Sequence, residues 1–396
     1  MSAPPIEGCK LGYQCSKRWD DLESIASAVD VRFCGQCQSA VHWANSASHA
    51  VDLGRQGKCV ALGFLEDVLV GEMTYGGGGP SGLTADQAEA GLWGLLVGDA
   101  VGVPYEFHPP QALPPLEAID LVPPRGFPRA HVGVPPGTWS DDGAQALALL
   151  DTLVSTAEVD LKHFAANVRA WLHEGRFAVN RSVFDVGRQT ATAINRLVAG
   201  VAPEKAGPAT EQDNGNGALM RVFPLLMRHW KSSHHLAYAA AQQAKVTHGH
   251  ARSHVACAVF CLWVETLPLW GSAKSWAMAE DVMRDALFAD DVGLPEEEIA
   301  FVLNPAWRGK ASGSGYIVDT LWSARIALEE TSDYASCIRR AIAFGHDTDT
   351  TAAVAGAAAG VLYGVDGIPS AWRDALRGRD VLDDLLQRWR SQAVAK

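Results

Sequence analysis

From about residue 85 onward, apolar residues recur at i, i+3, i+4 and i+7, the spacing of a helix with one buried face. Nine windows carry it: 88–102, 142–155, 161–175, 186–200, 233–249, 253–267, 316–330, 333–345 and 350–364. Period-two alternation is nearly absent there, and the stretches between windows, such as Pro109–Pro136 and Val201–Asn216, are rich in Pro, Gly and Asn. The pattern predicts one large all-α domain over 85–396, with no repeat of solenoid length. Earlier, the pattern shortens. Residues 20–29 read as a short helix or turn, 31–43 as strand, CxxC knuckle and strand, and 58–65 as a further strand. A small α+β cysteine-containing module is therefore expected over 1–70. The run GEMTYGGGGPSG, with four consecutive glycines, reads as a flexible linker within 71–84, unable to hold a helix or a strand.

Composition narrows the picture. Of 396 residues, 48% are hydrophobic and 20% charged, which excludes a disordered or collagen-like chain. Lys+Arg is 33 against Asp+Glu 45, a net charge of −12. That balance disfavours nucleic acid or an anionic membrane as the main partner. No run reaches the ~18 consecutive apolar residues of a membrane span. The first residues carry no apolar run behind a basic region, so a cytoplasmic location is expected. Of eight cysteines, five (Cys9, Cys15, Cys34, Cys37, Cys59) precede residue 60, a cluster that reads as metal binding more readily than as disulfides.

Three acidic clusters fall in otherwise apolar sequence. Asp99 lies near the end of the first helical window, with Glu106 a few residues on beside a proline-directed turn. Ser140-Asp141-Asp142 opens the second window, and His346-Asp347-Thr348-Asp349-Thr350 opens the last. Each of the two helix starts alone fits ordinary capping. Together they supply four carboxylates and several hydroxyls, more oxygen than capping uses, and like charges so close are costly without a cation. Mg²⁺ suits such donors and binds in pairs. The expectation is a two-Mg²⁺ site made by two helix N-termini, provided they converge. Between them, Asp213-Asn214-Gly215-Asn216-Gly217 leads to Met220 and Arg221, a loop whose N–H groups could cradle a phosphate with Arg221 near, or an ordinary turn. His248 and His250 could add polar contacts, or be structural. Gly313-Ser314-Gly315-Tyr316 is either a flexible cap or a ligand-touching turn.

In order, GLWGLLVGDAVGVPYEF, WSDDGAQALALL, NGNGALMRVFPL, VTHGH, GSGY and GHDTDTTAAVAGAAAGVLYG resemble the ADP-ribosylglycohydrolase family over about residues 85–390. The resemblance implies an all-α, orthogonal helical fold with two Mg²⁺ ions in a cleft. It implies Ser140, Asp141, Asp142, Asp347, Asp349 and Thr350 as metal ligands and Asp99 as support behind the metals, with the catalytic proton transfer open among Glu106, Asp141 and Asp142. Asn216, Gly217 and Met220 would line an ADP-ribose pocket touched by Gly313, Ser314, Gly315 and Tyr316. Gly143 stands where the family commonly has Thr, which removes a side chain near the metals.

The expected activity is hydrolysis of the bond between ADP-ribose and a protein side chain, arginine slightly favoured, through an oxocarbenium-like transition state. The competing readings are an ADP-ribose-binding or toxin-immunity protein without turnover, and a metal-dependent phosphohydrolase. The N-terminal module resembles small cysteine-containing domains. Cys34 and Cys37, with Cys15 as third ligand, are candidates for Zn²⁺. The fourth ligand is open among Cys59, His42, His49 and Cys9, and the alternative is reduced thiols in a small core. This module is expected to recruit a protein partner or substrate.

Overall fold

In the computed structural model of the chain, residues 82–394 are described apart from 157–158, 231 and 285–291. Before them, 11–14, 19–25, 28–35, 38–44, 49, 53, 58–62 and 69–73 are described.

The N-terminal part is a six-stranded sheet: β1 (Leu11–Gln14), β2 (Glu23–Ile25), β3 (Ala28–Cys34), β4 (Ser39–Ala44), β5 (Cys59–Leu62) and β6 (Leu69–Met73), in the order β1-β6-β5-β4-β3-β2. All neighbours are antiparallel except β4 and β5. The expected strand–knuckle–strand is β3 and β4, closing with Cys34 opposite Ser39. Trp19, Leu22, Cys34, Val41, Cys59 and Ala61 make its own small core. Two expectations need correction. Residues 20–29 give one 3-10 turn at Trp19–Asp21 and then strand β2 and the start of β3, because Ser24 and Ile25 find sheet partners on β3. The expected linker is structured at both ends. Gly71–Met73 pairs within β6, and Leu83 is fully buried.

The helical part runs α1 (Ala85–Gly102), α2 (Asp141–Ser155), α3 (Leu161–Glu174), α4 (Arg188–Val198), α5 (Ser233–Lys245), α6 (Ala251–Arg284), α7 (Glu296–Val302), α8 (Ile317–Glu329), α9 (Tyr334–Ile342), α10 (Thr348–Tyr363), α11 (Ser370–Ala375) and α12 (Arg379–Val394). All nine predicted helices form. α6 is long and apolar enough to cross a bilayer by length and composition alone, but most of its apolar stretch is buried in protein, and the chain breaks direction at Gly271.

α1 begins with a capping box. Gln87 N donates to Thr84 Oγ1, and Thr84 N donates to Gln87 Oε1. It is apolar on all sides, as a central helix must be. Its partner is α10, and the two run antiparallel with their backbones in contact. A Cβ at Gly94 would lie 2.1 Å from the Gly356 carbonyl oxygen, at Gly98 2.2 Å from that of Ala352, and at Gly102 2.4 Å from Asp349 Cα. The C-terminus of α1 therefore meets the N-terminus of α10.

Candidate active site and metal centre

Three helix ends converge at one point. Asp99, fully buried in the last turn of α1, accepts hydrogen bonds from the backbone N–H of Ser140 (2.9 and 3.0 Å) and of Gly143 (2.8 Å). Its carboxylate thus holds the first turn of α2 and supports the acidic pair from behind. Ser140 caps α2: Asp142 N donates to its Oγ, and its Oγ–H donates to Asp142 Oδ2 at 3.0 Å. Thr350 Oγ1, on α10, donates to the same Asp142 oxygen at 3.3 Å across 208 residues of sequence. Asp347 occupies the N-cap position of α10 without using its side chain as a cap; Oδ2 instead accepts from Asn216 Nδ2 at 3.0 Å.

Glu106 is brought in by the backbone. Phe107 N–H donates to the His346 carbonyl (2.6 Å) and His346 N–H to that of His108 (2.7 Å). Phe107 and His346 both have left-handed φ, near +65° and +61°, a conformation that non-glycine residues adopt only when the surroundings demand it. Oxygens of Glu106, Asp347 and Asp349 lie within 4.8 Å of one another, as do those of Asp99, Asp142 and Asp349. Two further groups were missed by sequence reasoning. Glu106, His131 and Asp185 form a third such cluster, with His131 Nε2 at 2.6 Å from Glu106 Oε2. Both new residues sit in loops without periodicity; the available signal was an isolated acid in the apolar stretch VFDVG.

Burial dominates the electrostatics. It pushes the Glu106 carboxyl up to about 10, Asp99 to about 7 and Asp185 to about 6, with neighbouring carboxylates adding to the rise. Asp141, Asp142 and Asp349 are raised well above the usual range by burial and then by neighbouring carboxylates, first Asp185 for Asp141, Asp99 for Asp142 and Glu106 for Asp349. Asp142 Oδ1 and Asp349 Oδ2 are buried without a hydrogen-bond partner. A carboxylate oxygen orphaned in this way costs free energy unless it is protonated or ligates a cation. The donor set, hard oxygens from carboxylates and hydroxyls, fits Mg²⁺ or a similar divalent ion.

A pH dependence follows. The folded, cation-free protein retains protons that the unfolded chain has released above about pH 4, so its stability falls as pH rises through the raised values. A divalent cation bound among these oxygens would replace those protons. The rise in melting temperature on adding Mg²⁺ is expected to be larger at pH 8 than at pH 6, measured by differential scanning fluorimetry; a rise that shrinks with pH would contradict this account.

Beside the carboxylates lies a cavity of about 220 Å³, lined by Glu106, Asp141, Asp185 and Asp347 together with Asn216, Gly217, Met220, His248 and Gly315. Of the expected Gly313–Tyr316 contacts, only Gly315 reaches it. Ser314 N–H donates to Asp319, Gly313 N–H donates to Ser323, and Tyr316 is tied by its hydroxyl to Arg252. These residues are a clamp: the Asn216 N–H donates to the Gly315 carbonyl and Ile317 N–H to that of Asn214. Arg221 is no phosphate ligand, for it is completely buried behind the cavity wall. A side chain at Gly143 would meet Leu96 and Trp139, so this position faces the core, not the carboxylates. His250 does not line the cavity; its ring accepts from Arg252 N–H. In the N-terminal sheet, Cys34 and Cys59 are buried in its core, while Cys15 and Cys37 lie outside the described residues.

The family described as ADP-ribosylglycohydrolase matches residues 80–395, beyond the sheet. The chain is 28% identical over 312 residues to an ADP-ribosylarginine hydrolase, Tri1, of Serratia proteamaculans, covering 78% of this chain and 80% of that protein. It is 30% identical over 303 residues to the ADP-ribosyl-dinitrogen reductase glycohydrolase of Rhodospirillum rubrum, covering 75% and 92%. A solved structure titled ADP-ribosylglycohydrolase-related protein complex superposes with a TM-score of 0.62 at 27% identity, over 78% of this chain and 98% of that one.

Proposed function

This chain belongs to the ADP-ribosylglycohydrolase family, and from that premise we propose that it is a Mg²⁺-dependent hydrolase releasing ADP-ribose from modified protein side chains, with arginine as the preferred acceptor. The observation that carries the reading is the meeting of two helix N-termini, joined by Thr350 to Asp142, around carboxylate oxygens that no protein donor satisfies. Ser140, Asp141, Asp142, Asp347, Asp349 and Thr350 would hold two Mg²⁺ ions. When bound, they would supply Lewis acidity at the sugar and lower the pKa of water.

The chain's own residues do the rest. Asn216 orients Asp347 by hydrogen bonding to it, and is itself steadied because its Nδ2 also donates to Thr320 Oγ1 at 3.0 Å. Arg188 and the first turn of α4 line the cavity, placing a cation and the positive end of a helix where a diphosphate would lie. Glu106 stands where all that is needed for proton transfer meets: near Asp347 and Asp349 on one side and within hydrogen-bond reach of His131 on the other. In that place it would pass a proton to the leaving nitrogen, with His131 as its hydrogen-bond partner. Preference for arginine is supported by the names of relatives from Serratia proteamaculans and Pseudomonas putida, both ADP-ribosylarginine hydrolases. The N-terminal sheet, outside the family match, would recruit the modified protein.

The test is release of free ADP-ribose from arginine-, serine- and aspartate-linked substrates, with and without EDTA, by the full chain and by residues 80–396. Release fastest from arginine, lost on chelation and restored by Mg²⁺, is expected. Equal small-substrate rates for the two chains, with slower action of the shorter one on an intact target protein, would support recruitment. Tight ADP-ribose binding without release from any substrate would mark a binding protein instead.

A further inference from the structure

Arg221 is fully buried, yet none of its partners is charged. Nε donates to Gln243 Oε1 (3.0 Å), Nη1 to Gln145 Oε1 (2.7 Å), and Nη2 to the Gln243 carbonyl (3.2 Å) and Thr247 Oγ1 (2.7 Å). The guanidinium lies over the Phe164 ring. Among the described residues it has no carboxylate within 4.0 Å. A buried cation of this kind is costly to keep, and the chemistry derived above makes no use of it.

An arginine can only donate hydrogen bonds, so Gln145 and Thr247 must both accept from it. Gln145 accepts from Arg221 through Oε1, so its amide group is turned with Nε2 toward Asp141, donating to Oδ2 at 3.2 Å. Thr247 Oγ1 accepts from Arg221 as well. The remaining partner of that hydroxyl, among the described residues, is His248 Nδ1 at 2.8 Å. Thr247 is fully buried and Nδ1 is the one acceptor its proton has among the described residues, so donation to Nδ1 is the arrangement that leaves the hydroxyl satisfied. Burial keeps the His248 ring neutral, so its own proton sits on Nε2. That nitrogen faces the cavity wall: a Cβ at Gly217 would lie 3.3 Å from it and one at Gly215 3.7 Å.

We infer that Arg221 is a positioning residue for two groups that line the cavity, turning the Gln145 amide toward Asp141 and locking His248 in the tautomer that offers an Nε2–H donor to a ligand oxygen. The inference rests on the hydrolase reading for the identity of the ligand, and on the hydrogen-bond geometry and burial of the ring for the tautomer.

The test separates the two. In the full-length protein with ¹⁵N-labelled histidine, His248 is assigned by the signals lost in His248→Gln. A protonated Nε2 and an unprotonated Nδ1 are expected without any ligand. Thr247→Val removes the hydroxyl; a mixture of tautomers and about tenfold weaker ADP-ribose binding by calorimetry are expected, with Mg²⁺ binding unchanged. Gln145→Leu should do the converse, leaving the tautomer intact and weakening Mg²⁺ binding about tenfold. Arg221→Lys, which keeps the charge but lacks the fork, should disturb both. If it fails to fold, the two peripheral variants still decide. A proton on Nδ1 in the wild type overturns the inference, as does a Thr247→Val protein with unaltered tautomer. If the wild type neither binds nor releases ADP-ribose, the hydrolase reading fails while the tautomer result stands by itself.

Discussion

Replacing Asp349 by asparagine is expected to make the cation-free protein more resistant to heat and to leave it without hydrolase activity. Asp349 is fully buried on α10, and four other carboxylates, those of Glu106, Asp185, Asp142 and Asp347, oppose its ionisation. Asparagine keeps the shape and keeps an oxygen to accept from the Thr350 N–H, the bond that Asp349 Oδ1 makes at 2.9 Å. It removes one charge from a crowded, desolvated cluster, so folding without cation becomes less costly. The same change removes the ligand shared by two of the three acidic groupings. Mg²⁺ should then produce little of the melting-temperature rise expected for the wild type. The activity loss should be on the order of a thousandfold in kcat/KM, the equivalent of about 4 kcal/mol of transition-state stabilisation. Thermal melts with and without Mg²⁺, together with ADP-ribose release, check all three. A variant less stable than wild type without cation, or one still active, would mean that Asp349 is a structural acid.

The sequence displayed its helices because each has a face, or the whole surface, to bury; periodicity reports burial directly. It also displayed the acidic helix starts, since four carboxylates exceed what two caps consume. It could not display their meeting. That depends on the glycines of α1 and α10 letting two backbones touch, a contact between residues some 250 positions apart. Loop residues were legible only where a motif framed them. Asp185 and His131 reach the site through loop paths that leave no periodic trace, and Asp185 holds a left-handed φ near +53° that only the folded chain imposes. Arg221 was misplaced for a different reason. A basic residue after a glycine-rich loop reads as a phosphate ligand, whereas its side chain turns inward to three uncharged residues, Gln145, Gln243 and Thr247. Gly71 misled in the same way: glycine-rich composition argues against a strand, but β6 has partners on both sides that supply its hydrogen bonds.

Alanine at Gly102 and alanine at Gly94 should both destabilise the protein, but only the first should abolish cation binding. Either Cβ would collide with backbone, at 2.1 Å from the Gly356 carbonyl oxygen for Gly94 and at 2.4 Å from Asp349 Cα for Gly102. Backbone cannot rotate away as a side chain can, so α1 and α10 must separate locally. Alanine favours a helix over glycine by up to about 1 kcal/mol, while overpacking of this severity costs about 3 kcal/mol. The net loss is about 2 kcal/mol, a few degrees of melting temperature in a domain of this size. The two positions are eight residues apart, about 12 Å of helix. At Gly94 the separation falls on an interface of small residues, and the acidic turn of α10 lies far enough away to keep its place. At Gly102 the displaced atom is Asp349 itself, with the Thr348 carbonyl oxygen 2.6 Å from the same added carbon. Displacements of a few tenths of an ångström there exceed what a metal-binding oxygen set tolerates. Paired melting and Mg²⁺ calorimetry on the two variants decide the matter: similar melting temperatures with cation affinity lost only in Gly102→Ala are expected, and equal affinity in both would show that the α1–α10 contact does not set the position of the acidic turn.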